Sequence, residues 1–394
     1  MREERQWQII LEMIHAFKRD EPLSRFLKDY YRGHKQMGSN DRRQASAFIY
    51  NYFRVCNAFA ELDLNSQVAL SNFLCSTAST PLLDYGISKY VSLSIDDVIK
   101  PTEEKMELLK SAYPAFRSEQ LFPFRDLVSG RVDFAKYLRS FLEQPLLWIR
   151  VRKKYHSAVL EELKQKNISF SEHEGGAVAL PNRTSLEELA GWKEGYFEVQ
   201  DLASQRSLEA LNPKPGESWW DACAASGGKS LALVEKESSI RLTVTDVRMS
   251  VLENLKKRFQ RAGITEYEFM KCDLAHAGEK IFHDNRLFDG IIADVPCTGS
   301  GTWARTPEWL SMFSPEDLSR YNGLQKRIAG NCVKYLKPGG TFVYITCSVF
   351  AEENEGSGSF ISEALKLEKV NEQYIQCSEQ QADTMFVAVF RKAV

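Results

Sequence analysis

The stretch DACAASGGKS, residues 221–230, decides the fold of this chain, because it has the composition of a turn between a buried strand and a helix. The apolar run SWWDACA predicts the strand, and Gly227 and Gly228 stand where the helix begins. Small residues let the backbone of such a turn approach a ligand closely, and a helix N-terminus favours negative charge. We therefore predict that this turn binds a ligand.

Five further apolar runs follow the first strand and alternate with helical segments. They read RLTVTD (241–246), YEFMKCD (267–273), FDGIIADVP (288–296), GTFVYITCS (340–348) and TMFVAVFRK (384–392). Such alternation is typical of a largely parallel sheet with helices packed on its faces. The pattern predicts a Rossmann-like α/β domain over residues 206–394.

Two smaller regions precede this domain. Residues 1–145 carry apolar positions at spacings of three and four, as in Trp7, Ile10, Leu11 and Ile14, and this predicts an all-helical domain. The segment LLWIRVRKK, residues 146–154, alternates apolar and basic residues, which is the period of a half-buried strand with one basic face. We predict a small α+β subdomain over residues 146–205.

The composition is that of a globular protein, with 43% hydrophobic and 26% charged residues in 394. The opening MREERQWQ lacks the apolar core of a signal peptide, and no uninterrupted apolar run is long enough for a membrane span. We expect a cytoplasmic monomer without membrane contact. The eight cysteines lack the CxxC spacing of zinc sites, so we expect reduced thiols and no metal.

The formal net charge of −2 argues mildly against a nucleic-acid partner, since such proteins usually carry a basic excess. Local basic runs argue the other way. One run contains Arg42, Arg43 and Arg54, and another contains Arg150 and Arg152. A solvated charged face is the alternative interpretation of each run.

Acidic residues stand at the ends of three successive predicted strands. They are Asp221, Asp246 and Asp273. The carboxyl ends of parallel strands meet at one edge of a sheet, where such folds bind ligands, and an acidic residue there can accept hydrogen bonds from a ribose. The dinucleotide fingerprint GxGxxG is absent, and Cys223 replaces the first glycine of a phosphate-binding P-loop, so neither a nicotinamide enzyme nor a nucleoside triphosphatase is favoured.

Two cysteines, Cys297 and Cys347, end adjacent predicted strands and would face the same crevice. Paired thiols suit methylation of cytosine at carbon 5, because that carbon becomes nucleophilic only after a thiolate adds to carbon 6. Asp294, three residues before Cys297, could hydrogen-bond the base and stabilise the adduct, and as a donor to ring N3 it would have to be protonated. The second thiol could assist release of the product, but the spacing of the two cysteines does not show which of them attacks and which assists release.

These residues closely resemble the RsmB/Nop/Sun family of RNA cytosine-5 methyltransferases. The matching motifs, in the order of the family, are VQDLASQ (199–205), DACAASGGKS, Asp246, KCD (271–273), DVPCTGSGT (294–302) and TCSVFAEENE (346–355). The resemblance implies that S-adenosyl-L-methionine is the methyl donor, that Cys347 attacks carbon 6 and that Cys297 assists release. It also implies that Lys229 and Asp294 contact the target base.

The same resemblance implies a cofactor site. Asp246 would hold the ribose and Asp273 would lie near the adenine, with Asp294 close by. The remaining cofactor-binding residues would be Cys223, Ala224, Ala225, Ser226, Gly227, Gly228 and Lys229. Two residues depart from the family pattern, because Ser226 replaces a usual proline and Ala304 replaces a usual arginine. The first change would loosen the turn, and the second would remove one RNA contact.

The N-terminal helices, with SNDRRQASAFIYNYFRV at 39–55, resemble the NusB-like RNA-binding domain of bacterial members. The strand LWIRVR resembles their small RNA-binding subdomain. By this resemblance Arg42, Arg43, Arg150 and Arg152 would contact RNA, with Arg150 and Arg152 positioning phosphates. The implied function is rRNA processing through 5-methylcytosine formation in small-subunit rRNA, with tRNA as an alternative substrate.

Two other functions stay open at this point. A DNA cytosine-5 methyltransferase needs only the PC motif, but the TCS motif and the RNA-like upstream modules oppose it. An RNA-binding assembly factor that has lost activity would not need both cysteines, Asp294 and Lys229. A methyltransferase acting on an exocyclic nitrogen would carry an aromatic residue in place of Cys297, so that activity is not favoured.

Overall fold

The computed structural model describes residues 2–276, 281–282 and 284–394. The chain forms two compact units. The first contains residues 1–126, 134–144 and 303–313, and the second contains residues 127–133, 145–302 and 314–394.

The first unit is helical. Its helices are α1 (Arg2–Ala16), α2 (Leu23–Gly33), α3 (Ser39–Val55), α4 (Leu64–Cys75), α5 (Pro81–Tyr90), α6 (Thr102–Ala112) and α7 (Phe134–Phe141), and a later helix, Glu308–Met312, joins them. The apolar positions of α1 that predicted a helix, Trp7, Ile10, Leu11 and Ile14, all lie in the core of this unit. A single apolar face on α1 therefore explains both the helix and its packing.

Arg54 of α3 is part of this core and not of a basic surface. Its side chain is fully buried, and it donates to the carbonyl oxygens of Phe141 and Ala304 and to Gln144. The prediction that Arg54 extends a surface run of arginines is therefore wrong, because backbone carbonyls occupy its guanidinium. Ala304 is also buried, and its carbonyl oxygen accepts one of these hydrogen bonds.

The second unit begins with a small antiparallel sheet. Its strands are β1 (Leu147–Val151), β2 (Ser171–Glu172), β3 (Ala177–Leu180) and β4 (Phe197–Val199), in the order β2-β3-β1-β4, with helices α8 (His156–Gln165) and α9 (Ala190–Lys193). The predicted strand at LWIRV is confirmed. Ile149, Val151 and Leu163 pack in a common apolar cluster.

The arginines of β1 and of the residue after it do not form the exposed basic face that the sequence predicted. Arg150 is buried and pairs with Glu235 and Gln200. Arg152 pairs with the same Glu235 at 3.0 Å and donates to the carbonyl oxygen of Ala262 at 2.8 Å. The alternation in the sequence marks a strand covered on both faces, with the arginines neutralised by a carboxylate.

The rest of the second unit is an α/β domain. Its strands are β5 (Ser218–Asp221), β6 (Arg241–Asp246), β7 (Glu268–Lys271), β8 (Phe288–Asp294), β9 (Leu336–Thr346), β10 (Leu367–Gln376) and β11 (Thr384–Lys392). Its helices are α10 (Leu202–Ser207), α11 (Gly228–Lys236), α12 (Met249–Arg261), α14 (Pro315–Val333) and α15 (Ser357–Glu363). The helix Glu308–Met312, which belongs to the first unit, is α13 in chain order. The sheet order is β10-β11-β9-β8-β5-β6-β7. The five strands from β9 to β7 are parallel, and β11 runs antiparallel to both of its neighbours. This agrees with the predicted Rossmann-like sheet.

Apolar cores cover both faces of this sheet. Trp219 and Trp220 of β5 enter different clusters, because successive strand side chains point to opposite faces. The chain order reverses between β5 and β8, and the crevice at the carboxyl ends of such strands is the usual ligand site. The turns after β5, β6, β8 and β9 meet there. Within the described residues, no helix is both long and apolar enough to cross a membrane.

Candidate active site

The turn after β5 depends on Gly227. This residue precedes α11 and has a φ of 84°, in the left-handed region. A Cβ on Gly227 would lie 2.8 Å from Leu255 and 2.8 Å from Phe259, both on α12. Glycine is therefore required twice at this position, for its backbone conformation and for the close packing of α12 against the turn.

Asp246, at the end of β6, holds the middle of the turn. Its carboxylate is buried and accepts from the backbone N–H of Ala225 at 3.0 Å and from that of Arg248 at 2.9 Å. Ala225 itself has a φ of 46°, a conformation that non-glycine residues seldom adopt. The carboxylate therefore stabilises a strained turn, and it also lies where the sequence predicted a ribose contact.

Ser226, the departure from the family's proline, is held by Arg258 of α12. The Arg258 guanidinium donates to the hydroxyl of Ser226 at 2.7 Å and to its carbonyl oxygen at 3.1 Å. Arg258 also pairs at 2.8 Å with the buried carboxylate of Glu198. These contacts restrain the turn by hydrogen bonding where a proline would restrain its φ. Sequence reasoning missed Arg258, since a basic residue on a helix is usually a solvated one.

Lys229 and Asp294 form a close ion pair at the strand ends. The Lys229 Nζ lies 2.6 Å from the Asp294 carboxylate, and the lysine side chain is 10% exposed. Burial lowers the pKa of Lys229, but the charge of Asp294 and its hydrogen bond outweigh burial, so the net pKa is raised. The pair therefore keeps Lys229 protonated at the edge of the crevice, with its ammonium able to donate hydrogen bonds.

Asp221 ends β5 beside this pair. It is 1% exposed and accepts a hydrogen bond from the Ser230 hydroxyl at 2.5 Å. Burial raises the pKa of Asp221 to about 7, although the hydrogen bond from Ser230 opposes the shift. This carboxyl group is buried at the edge of the sheet, and its hydrogen bond with Ser230 anchors the first turn of α11.

The two cysteines that the sequence singled out are brought together. The sulfur of Cys297 lies 3.4 Å from the sulfur of Cys347, and both side chains are partly exposed. The hydrogen bond with Cys347 raises the pKa of Cys297 well above its ordinary value, and burial and the nearby Glu353 act in the same direction. One thiol of the pair is therefore held as a protonated thiol.

Asp273 follows β7 and lies in a more open position. Its carboxylate accepts from the N–H of Ala275 and shares a hydrogen bond of 2.9 Å with the ring of His276. The hydrogen bond with His276 lowers the pKa of Asp273. Its predicted place near an adenine stays a prediction.

The predicted RNA-contacting arginines of α3 belong to the helical unit. Arg43 is exposed, whereas Arg42 donates to the carbonyl oxygen of Lys35 and lies 5.9 Å from the ring centre of Tyr31. Their predicted contact with RNA is not tested by these positions. Sequence reasoning also missed Glu353, which is fully buried between the two cysteine loops, although it stands inside the motif TCSVFAEENE.

Known proteins resemble this chain in sequence and in fold. A model of the 16S rRNA methyltransferase RsmB/F family matches residues 208–391. The ribosomal RNA small subunit methyltransferase B of Proteus mirabilis is 29% identical over 308 residues, which cover 76% of this chain and 72% of that protein. The protein of the same name from Erwinia tasmaniensis is 31% identical over 221 residues, 54% of this chain and 50% of the relative, so that alignment spans half of the relative's length.

Solved structures agree in fold. PH0851 superposes with a TM-score of 0.73 at 20% identity and covers 98% of both chains. NSun6 from Pyrococcus horikoshii, solved with SFG, gives a TM-score of 0.61 at 16% identity and covers 69% of this chain and 97% of its own. The predicted fold class, a Rossmann-like methyltransferase domain, is confirmed. Residues 208–391 of this chain are therefore similar to the RsmB/F family of methyltransferases.

Proposed function

We propose that this protein transfers a methyl group from S-adenosyl-L-methionine to carbon 5 of a cytosine in small-subunit ribosomal RNA. The observation that carries the proposal is the pair of thiols, Cys297 and Cys347, 3.4 Å apart at the carboxyl edge of the sheet. The ion pair between Asp294, at the end of β8, and Lys229, in the first turn of α11, belongs to the same edge. The names of the relatives from Proteus mirabilis and Erwinia tasmaniensis support rRNA as the substrate class.

The turn after β5 suits S-adenosyl-L-methionine. The residues that would hold it are Cys223, Ala224, Ala225, Ser226, Gly227, Gly228, Asp246 and Asp273. The turn is built from small residues with a left-handed glycine, and the buried Asp246 carboxylate closes its far side. A carboxylate at this strand end is the usual acceptor for ribose hydroxyls in such folds. When bound, the cofactor supplies a methyl group on a positively charged sulfur.

The cysteines divide the covalent chemistry between them. Cys347 attacks carbon 6 of the cytosine, forming a carbon–sulfur bond and leaving the electron pair at carbon 5. The raised pKa of Cys297 supports this order, because a thiol that keeps its proton is a poor nucleophile. The Lys229 ammonium, held in place by Asp294, can donate a hydrogen bond to ring N3 as the sulfur adds.

Formation of the adduct also prepares the second step. The largest cause of the raised Cys297 pKa is its hydrogen bond with Cys347, which is lost when Cys347 becomes a thioether. Cys297 can then lose its proton to solvent and, as a thiolate, accept the proton from carbon 5 once that carbon carries the methyl group. The electron pair of the C–H bond restores the ring double bond and expels the Cys347 thiolate.

A target base must leave its stack to reach these sulfurs, which costs a few kcal/mol and favours a loop or single strand. We propose that the N-terminal helical domain, predicted over residues 1–145, supplies part of the RNA contact through the exposed Arg43. Arg150 and Arg152 are less suited to phosphate contact than the sequence indicated, because Glu235 already neutralises both.

Two experiments test the proposal. RNA containing 5-fluorocytosine should trap a covalent complex with the wild-type protein and S-adenosyl-L-methionine, since fluorine cannot leave as a proton. Bisulfite sequencing of total RNA from cells with and without the gene should reveal one small-subunit position that loses its methyl group. No adduct and no lost position would overturn an RNA cytosine-5 activity, whereas a lost tRNA position would keep the chemistry and change the substrate.

A further inference from the structure

A π-helical turn, Glu352–Gly356, follows the Cys347 loop and buries two polar side chains, Glu353 and Asn354. Both are 0% exposed. π-turns are rare and are found mostly at functional sites. The Glu353 carboxylate lies between the two loops that carry the cysteines, and the Asn354 amide contacts the Cys347 loop alone.

The Glu353 carboxylate connects these two loops directly. One oxygen accepts from the backbone N–H of Thr298 at 2.9 Å and from the amide of Gln325 at 2.9 Å. The other accepts from the hydroxyl of Thr298 at 2.6 Å and from the hydroxyl of Ser348 at 2.5 Å. Thr298 directly follows Cys297 and Ser348 directly follows Cys347, so one side chain fixes the neighbours of both sulfurs.

Asn354 secures the Cys347 loop from its other side. Its carbonyl oxygen accepts from the hydroxyl of Thr346 at 2.5 Å, and its amide donates to the backbone oxygen of Ser348 at 2.8 Å. The backbone oxygen of Cys347 accepts from the N–H of Gly301 at 2.9 Å. The backbone on both sides of Cys347 is therefore fixed, and Glu353 sets the position of this rigid loop relative to Cys297.

We propose that Glu353 is a positioning residue whose carboxylate holds Cys297 and Cys347 at the separation that their two chemical tasks require. The inference rests on the proposed cytosine-5 methylation and adds a residue to its machinery. Burial raises the pKa of Glu353, and the hydrogen bonds from Ser348, Thr298 and Gln325 oppose that shift. Four donors converge on the carboxylate, which suits its ionised form because that form only accepts hydrogen bonds. A glutamine would turn two donor hydrogens toward groups that also donate, so the loops would have to separate.

The same charge distinguishes the two thiols. The ionisable groups facing Cys297 are Cys347, Glu353 of the π-turn and Tyr344 of β9. Glu353 contributes to raising the pKa of Cys297, and it therefore helps to keep that thiol protonated until the adduct forms. Glu353→Gln removes this charge, and the separation of the loops weakens the hydrogen bond with Cys347, so both changes should let Cys297 ionise at lower pH.

The test compares Glu353→Gln with Glu352→Gln, because the side chain of Glu352 is exposed in the same turn. Single-turnover methylation of substrate RNA should fall about 100-fold in Glu353→Gln, as expected for an ångström-scale misplacement of reacting groups. Glu352→Gln should stay within about twofold of wild type, since an exposed side chain of this kind contributes little. Iodoacetamide labelling of Cys297, followed by mass spectrometry across pH, should shift to lower pH only in Glu353→Gln.

Two further variants separate the explanations. Glu353→Asp keeps the charge but shortens the side chain, so it should preserve the labelling profile of Cys297 and still lose rate. Thr298→Val removes one donor and leaves the carboxylate in place, so it provides a folded variant with an intermediate rate if Glu353→Gln does not fold.

Wild-type protein that traps no 5-fluorocytosine adduct would overturn the proposed function itself. If wild type traps the adduct while Glu353→Gln equals Glu352→Gln in rate and in labelling, the positioning role of Glu353 is refuted and the methylation stands. If both Glu353 variants react more slowly but label at Cys297 with the same pH dependence as wild type, the claim that the charge of Glu353 raises the pKa of Cys297 is refuted.

Discussion

Replacement of Gly227 by alanine is the sharpest test of how this fold builds its cofactor turn. A left-handed conformation costs a residue with a Cβ about 1–2 kcal/mol. The new Cβ would also lie 2.8 Å from carbon atoms of both Leu255 and Phe259, and such overpacking costs about 1–3 kcal/mol. The expected loss in free energy of unfolding is therefore about 2–5 kcal/mol.

Gly216 provides the matched control. Its φ is 77°, close to the 84° of Gly227, but a Cβ there would meet nothing within 4 Å. Gly216→Ala should therefore lose only the conformational part, about 1–2 kcal/mol. Urea denaturation of both variants beside wild type, followed by circular dichroism, measures the difference. Equal losses in the two variants would refute the argument that α12 packs against the turn closely enough to require glycine.

Three other predictions follow from the site and its surroundings. Cys347→Ala should abolish methyl transfer, and Cys297→Ala should accumulate a covalent protein–RNA complex on denaturing gels; the reverse pattern would exchange the roles of the thiols. Burial raises the pKa of Asp221 to about 7, so the folded state binds this proton more tightly than the unfolded state does. The free energy of unfolding should therefore fall as pH rises from about 4 to 7. Asp221→Asn should flatten that decline in urea titrations at different pH values, and an unchanged decline would contradict the prediction. Arg150→Met should cost about 1–2 kcal/mol, because it removes the hydrogen bond to the buried Gln200 and one of the two arginines paired with the partly exposed Glu235. It should leave the salt dependence of RNA binding unchanged, and a flatter salt slope would return Arg150 to the RNA interface. The exposed Lys153→Met should leave stability within about 0.5 kcal/mol of wild type.

The strands that the sequence predicted are those with an uninterrupted apolar run. FDGIIADVP and GTFVYITCS are buried between helices on both faces, and their composition alone signals this. Strand β10, with the sequence LEKVNEQYIQ, was missed, because it lies at the edge of the sheet and most of its residues are exposed or half-exposed. Polar and charged residues fill most of its positions, so its sequence lacks the apolar run that marked the other strands, and pairing with the following strand β11 specifies it.

Charged residues were the main source of error. Arg54 and Arg150 both stand in basic runs, yet Arg54 is bound by carbonyl oxygens and Arg150 by Glu235, 85 positions away. The reverse case is Glu353, to which sequence reasoning assigned no role and which is buried and accepts four hydrogen bonds. Burial of a charge depends on partners that are distant in sequence, so the local pattern does not predict it.

The sequence by itself determined the class of the fold, the turn at Cys223–Gly228 and the two cysteines as candidate reacting groups, because apolar periodicity, glycine positions and strand-end residues are local properties. Only the tertiary structure decided that the sulfurs of Cys297 and Cys347 lie 3.4 Å apart and that Lys229 is paired with Asp294. It also revealed how Arg258 restrains Ser226 and how Glu353 joins the two loops. These features depend on distances between residues that lie far apart along the chain, and the packing of the sheet against its helices sets those distances.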